Sequence, residues 1–551
     1  MISQGQSLQA FKETAGGGSM SRIEVVARKV RIHLIRKLRA ACPVTPRSGL
    51  VLAMGMASVL AMAAVRPVMA AAAEQVRMAS GLGFSTFDPV LATPPTVDYL
   101  RPVYDTLVVR RGIDVFVPGL ATEWQYSDEN KALTLTLRQG VRFTDGTDFD
   151  GAAVKANFER GQRTAGSPWS AFYQLIDHIQ VLEKYKLRLS LKVPNPALVE
   201  YLSTNPGMMV SPKALADPAT LAFGPVGTGG WLLDQSQSVR GDRYTYVRNE
   251  SYWNPDEQPV NTVVIRQMTD SAARVNALRT GQIDVAAITQ TQGDALEKLG
   301  FKVMPTNMVL YMVGIWDADG TVVPALKNPQ VREAIRLAIN RKAVLKVIFS
   351  DRGTFGLNFY PKGASGHSQA LEELTSHDLS AAKELMAKAG YESGFDVDTV
   401  VQTNNARLAE VIAGELAKIG VRLNVTVMPD VGSFHVAVHQ KKSPVGIYAH
   451  QMALPLSLYS SLMHPKGRYN PFEITHEKMD AVIDEAARSD EKQAAALYAQ
   501  VFESIVGEQA IVFPIVNAQI LAAMRKGISA GATTYTDAGL PNPRYLEFTE
   551  N

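Results

Sequence analysis

Residues Phe223 to Pro255 read F-G-P-V-G-T-G-G-W-L-L-D-Q-S-Q-S-V-R-G-D-R-Y-T-Y-V-R-N-E-S-Y-W-N-P. A glycine-dense turn runs into strand-like sequence and ends on Arg248-Asn249-Glu250-Ser251-Tyr252-Trp253. Gly227-Thr228-Gly229-Gly230 lacks the Gly-Lys-Ser/Thr ending of a phosphate loop, which argues against nucleotide binding. The segment therefore reads as turn and packing, with Trp253 in a core. Outward from it, Val76 to Ser80 is a predicted strand, and Val97 to Val108 a predicted helix. Leu133 to Leu137 alternates as a half-buried strand, and Asp150 can cap a helix starting at Gly151. Ile179 to Leu182 and Leu187 to Leu191 form a predicted hairpin. Asn195-Pro196 restarts a helix toward Tyr201. Asn328-Pro329 pairs an N-cap oxygen with proline at a position that needs no N–H. Thr399 to Gln402, the amphipathic Asn404 to Ile419 and Val421 to Val427 form a strand–helix–strand crossover, so the two strands are expected to be parallel. Two helices, near Lys478 to Ala487 and Glu491 to Val506, close the last third.

At 551 residues the chain exceeds what one apolar core usually holds. The formal charge of +3 mixes two parts. Residues 1–70 hold ten Lys/Arg and two Asp/Glu, which leaves 46 basic against 51 acidic residues in the rest. That acidic body gives no electrostatic reason to expect nucleic acid as a partner. The basic stretch from Arg28 to Arg47 precedes the uncharged Gly49–Val65 and the small residues Ala70 to Ala73. This order is that of an export signal, with cleavage expected near Ala70–Ala72 and a periplasmic destination. Cys42, the one cysteine, lies ahead of the apolar run, so the mature chain has no disulfide and no thiol chemistry.

Several segments, taken in order, resemble one family. The opening stretch is similar to G-P-x-G-T-G-P-Y followed by R-N-x-x-Y-W. Arg142-Phe143-Thr144-Asp145-Gly146 resembles F-x-D-G, and Asn328 to Arg341 resembles V-R-x-A with A-I-(D/N)-(R/K). Ala381 to Tyr391 is similar to A-x-x-L-L-x-x-A-G-Y, and Arg407 to Gly420 to R-x-A-E with L-x-K-I-G. On these the chain is identified as a member of the peptide/nickel class of ABC-transporter extracellular solute-binding proteins, family 5, over about residues 76 to 550.

The resemblance implies an α/β fold of the large periplasmic-binding-protein type (type II, cluster C), with two main lobes, an inserted subdomain and a hinge. Residues 74–110, 223–307 and 517–551 would form lobe I, 111–222 the insertion and 308–516 lobe II, after the extension 1–72. The hinge strands are expected near Val309 to Ile315 and Phe513 to Asn517. It further implies a monomer that takes a small molecule or short peptide and passes it to the permease subunits of the inner membrane, with no cofactor. Nickel, haem, opine or sugar binding within the family, or a sensing role on this fold, are the alternatives.

The departures bear on the solute. Dipeptide binders of the family carry W-x-G-D-x-x-D-P where this chain has Gly446 to Pro465, and their acid holds the peptide ammonium. Here Gln451, Leu454 and Leu456 offer no carboxylate. Arg407 matches a family arginine that grips a ligand carboxylate in some members; a surface arginine or a lobe salt bridge is the other reading. A small polar or anionic solute follows. Phe84, Phe87, Trp169, Tyr311, Trp316, Tyr360 and Tyr459 are the aromatic candidates for the cleft wall, of which about a third are expected to face it. His435 and His439 have a helical spacing that could chelate metal, yet no acid completes the set. Asp145, Asp148 and Asp150 are explained by turn and cap duties, and no nucleophile motif is present, so no catalytic residue is assigned.

Overall fold

The computed structural model describes residues 73–93, 96–531 and 539–549. The N-terminal extension, with Cys42 and the expected cleavage point at Ala70–Ala72, lies outside them. Among the described residues no helix is long and apolar enough to cross a membrane.

A nine-stranded mixed sheet is the backbone of the molecule. Its path runs Val445–Gln451, Lys302–Ile315, Val512–Met524, Val285–Ile288, Ala73–Ser80, Val260–Gln267, Arg243–Arg248 and Trp231–Val239, with Gly353–Phe355 attached to Val512–Met524. Ala73–Ser80 is parallel to both of its neighbours, and the other pairs are antiparallel. The two longest strands, Lys302–Ile315 and Val512–Met524, pair over most of their length, with register shifts at Pro305/Asn307 and Tyr311/Met312. Proline lacks the N–H a ladder needs, which accounts for the first shift.

A separate four-stranded antiparallel sheet orders Ala121–Ser127, Ala132–Leu137, Lys186–Leu191 and Ile176–Glu183. Its alternating leucines Leu133, Leu135, Leu187 and Leu189 are buried against the helix Gly151–Arg163 through Val154 and Phe158. Asp150 caps that helix by accepting from Ala152 N and Ala153 N. Phe395–Gln402 and Val421–Met428 pair in parallel across the helix Ala406–Ala417, as their crossover spacing requires. Asn328 accepts from Gln330 N at the start of Pro329–Ala338. One expectation fails: the helix from Val97 stops at Leu100, and Val108 to Arg110 is a strand. Pro102 has no N–H to donate to Asp98 O, so the ladder breaks after Arg101, which still bonds Val97 O.

The opening stretch folds onto one carboxylate. Thr228 Oγ1 (2.9 Å), Tyr252 OH (3.1 Å), Trp253 Nε1 (2.8 Å) and the Arg544 guanidinium all donate to the buried Asp105. A Cβ on Gly227 would lie 2.2 Å from Val103 O, and one on Gly229 would lie 2.4 Å from Val103 C. Those two glycines let the turn lie against the segment that carries Asp105.

Apolar side chains collect in separate clusters. One gathers residues from Leu310 to Ala518, a second joins Val76–Val103 to Trp231–Ile265 and Leu540–Leu546, and a third lies within Val90–Met209.

Candidate functional site

The strand Val445–Gln451 ends the large sheet at one edge, and the chain beyond it, Met452 to Leu454, meets the four-stranded body. Two buried side chains of that body hold it. Arg110 Nη2 donates to Met452 O (3.0 Å), and both Glu200 oxygens accept from Leu454 N (3.1 and 3.2 Å). The two side chains pair with each other at 3.1 Å. Tyr360 OH donates to Ala453 O at 2.8 Å from the other flank. Removing two such charges from water is offset only by full pairing, which Arg110 completes with the carbonyls of Gly112 and Ile113.

Two cavities flank this segment and share Met452 in their walls. One, of about 430 Å³, includes Ile113, Met308, Phe355, Tyr360 and Asn517. The other, of about 360 Å³, lies between Trp169, Phe172 and Tyr201 on one side and His450, Gln451 and Arg468 on the other. Hydroxyl and amide groups of Thr204, Asn205, Ser457 and Ser461 complete its polar surface. Trp169 Nε1 is anchored on Ala92 O (2.9 Å), so the indole presents its faces. Burial pushes the Tyr201 phenol up to about 12, keeping it neutral.

Four ionisable groups besides the phenol line the second cavity. Arg110 and Glu200 neutralise one another. Glu200, the one carboxylate among them, is occupied by Arg110 and Leu454 N and has no role left as an ammonium anchor. Arg468 is exposed, lies 5.8 Å from the Tyr469 ring and has no ion-pair partner among the described residues. His450 places Nε2 3.2 Å from Ser461 Oγ and Nδ1 against Gln451 O. Desolvation lowers its pKa below the usual imidazole value; Arg468 acts in the same direction and the Gln451 carbonyl against it. One uncompensated guanidinium among neutral donors, acceptors and aromatic faces suits a polar solute with a carboxylate.

The pH behaviour follows from that lowered pKa. The unfolded imidazole titrates near ~6.5, so below that value the unfolded chain holds more protons at this site. The stability contributed by neutral His450 is complete above about pH 6.5 and is lost as pH falls through its depressed folded pKa. Urea midpoints at about pH 7.5 and about pH 5 should therefore fall further apart in the wild type than in His450→Gln. Equal pH dependence in the two proteins would refute the assignment.

Of the residues singled out in the sequence, Gln451 and Trp169 line the 360 Å³ cavity, and Tyr360 the 430 Å³ cavity. Tyr311 is half-buried with its ring 4.7 Å from Phe349. Phe84 packs on Phe87, Tyr99 and Tyr244, and Phe87 is wholly buried beneath it. Trp316 is buried because its ring lies over Gly314 and Gly446, which face each other on adjacent strands; a Cβ on Gly446 would fall 2.3 Å from the indole. Tyr459 is buried with its hydroxyl on Asp480 (2.7 Å). Phe87, Trp316 and Tyr459 thus have almost no surface to offer a solute in this conformation. Arg407 stands exposed on the first turn of Ala406–Ala417, away from both cavities. Arg468 donates to His435 Nε2, the lone pair a metal would use. Sequence reasoning passed over Arg468, Arg110 and Glu200; the available signal for Glu200 was an acid inside the apolar Leu198-Val199-Glu200-Tyr201-Leu202.

A family model described as bacterial extracellular solute-binding proteins, family 5 Middle, matches residues 115–464, more than half of the chain. The glutathione-binding protein GsiB of Salmonella paratyphi A is 28% identical over 488 residues, covering 84% of this chain and 92% of that protein. Among solved structures, the periplasmic binding protein DppA of Helicobacter pylori in complex with the peptide STSA superposes with a TM-score of 0.73 at 24% identity, over 87% of this chain and 99% of that one. The binding protein AgaA from A.tumefacien, in complex with agropinic acid, superposes with a TM-score of 0.72 at 22% identity, over 87% and 99%.

Proposed function

Because this chain belongs to the bacterial extracellular solute-binding proteins of family 5, we propose that its cargo is a small, polar, carboxylate-bearing solute of peptide-like chemistry, held in the cavity of Arg468, His450 and Trp169. As a member of that family it is a transport binding protein and not an enzyme, and it works with an ABC permease outside the cytoplasm.

The observation that carries the solute class is the lone uncompensated Arg468 in a cavity whose one carboxylate is already engaged. Glutathione and agropinic acid, the ligands named for two relatives, both carry carboxylates. Capture proceeds by lobe closure: residues 74–110, 223–307 and 517–551 with the insertion 111–222 move against 308–516 about the paired long strands. Separate apolar clusters on the two sides support that division. Solute touching both sides favours the closed population, and micromolar affinity would amount to about 8 kcal/mol in total. Arg407, on the lobe opposite the insertion, is a second carboxylate ligand in a more closed state. The protein acts as a monomer, exported by a signal removed near Ala70–Ala72.

Native mass spectrometry of the purified protein identifies a co-purified solute, and calorimetry with glutathione and its amidated derivative measures the carboxylate requirement. Arg468→Gln is expected to weaken binding of the acid by about 10- to 100-fold, as loss of a charge-assisted hydrogen bond does, and to leave the amide unaffected. Equal affinity of the variant and wild type for the acid would refute the assignment.

A further inference from the structure

On the far side of the Asp105 hub lies a polar cavity of about 240 Å³. Arg111, Arg138 and Arg544 stand in its wall. Two of these lie over aromatic rings. The Arg111 guanidinium carbon is 3.7 Å from the centre of the Tyr545 ring, and that of Arg138 is 4.4 Å from the Trp253 ring. Trp253 is itself fixed by its hydrogen bond to Asp105. Stacking of this kind sets the plane of a guanidinium and leaves its N–H edge available.

Those edges are unused. Neither Arg111 nor Arg138 has an ion-pair partner among the described residues. Arg138 donates only Nε, to Gly119 O (3.1 Å), and Arg111 makes no side-chain hydrogen bond there. Arg544 is more than nine-tenths buried, and although Asp105 and two carbonyls take its terminal nitrogens, its Nε has no partner. Two carboxylates, Asp105 and Glu257, also line the space. Asp105 is consumed by the hub, and Glu257 makes no ion pair among the described residues. Three guanidiniums against two carboxylates leave one positive charge in excess, with free donors from separate parts of the chain opening on one small volume.

We infer that this cavity is a second ligand site, which takes a small oxyanion of phosphate or sulfate type. Forked donors fixed in orientation before binding match such an anion with little further ordering. The anion would bridge Arg111, which follows the strand Val108–Arg110, and Arg138, which follows Ala132–Leu137. This inference does not depend on what occupies the Arg468 cavity.

The test is calorimetric titration of the full-length mature protein, in chloride buffer, with sodium phosphate and with sodium sulfate. Saturable one-to-one binding of either anion is expected, with at least about tenfold loss in Arg111→Met and in Arg138→Met and none in Arg468→Gln. Arg138→Lys keeps stem and charge but not the fork, and should also weaken binding, which separates lost recognition from lost folding. Solute binding at the Arg468 cavity should be unchanged in Arg111→Met. Absence of saturable binding, or equal binding by the Arg111→Met, Arg138→Met double variant, overturns the proposal. Loss of anion binding in Arg468→Gln would also overturn it, by placing the anion in the other cavity.

Discussion

Asp105→Ala is expected to lower the unfolding free energy by about 3–5 kcal/mol, the typical effect of removing one partner of a buried ion pair. Asp105 is 3% exposed and takes hydrogen bonds from Thr228, Tyr252, Trp253 and Arg544. Without it, the buried Arg544 guanidinium loses its counter-charge, and three neutral donors lose their acceptor. Unfilled donors in a dry interior cost their full desolvation penalty, so water entry or local opening must follow. Asp105→Asn keeps the shape and one acceptor oxygen, so its loss should be smaller than that of alanine but still well above 1 kcal/mol. Urea unfolding of the three proteins measures this order. A loss under about 1 kcal/mol for alanine would mean that the hub is not a stability centre.

Glu200→Ala should act on solute binding more than on folding. Its carboxylate links Arg110 to Leu454 N across the seam beside the candidate cavity. In a closed molecule the variant leaves Arg110 buried and uncompensated, a penalty of about 3–5 kcal/mol. An open molecule lets water solvate the same groups, so part of that penalty disappears on opening. Solute affinity is therefore expected to fall by about 100-fold, chiefly through faster release. Small-angle scattering should show a larger radius for the variant at subsaturating solute. If affinity and release rate stay at wild-type values, the Arg110–Glu200 pair does not hold the closed form.

Local order was readable where the physics is local. Asp150 and Asn328-Pro329 announce caps through donors and acceptors two or three residues away, and the structure has both. Leu133 to Leu137 alternates because one face of its sheet is buried, and Thr399 to Val427 has the length a parallel crossover needs. The helix expected from Val97 to Val108 shows the limit, since its apolar pattern outweighed the missing N–H of Pro102 in that reading. Site residues depend on distant partners. Nothing near Trp316 in sequence shows that its ring lies over Gly446, and nothing near Tyr459 shows that its hydroxyl reaches Asp480. Arg468 follows a proline–lysine–glycine turn and reads as any surface arginine; its importance comes from standing beside His450 with no carboxylate. The missing acid at Gln451 to Leu456 was legible as an absence, and the structure adds that Glu200 does not replace it.

Three hydrogen bonds hold the segment Met452–Leu454 by its main chain: Arg110 on Met452 O, Tyr360 on Ala453 O, Glu200 on Leu454 N. None of these grips reads the identity of a side chain. Met452 is also buried in the apolar core, so the latitude lies at half-buried Ala453, which lines the 360 Å³ cavity. There a side chain can change while the main-chain seat stays, and cargo preference can drift without a new closing mechanism.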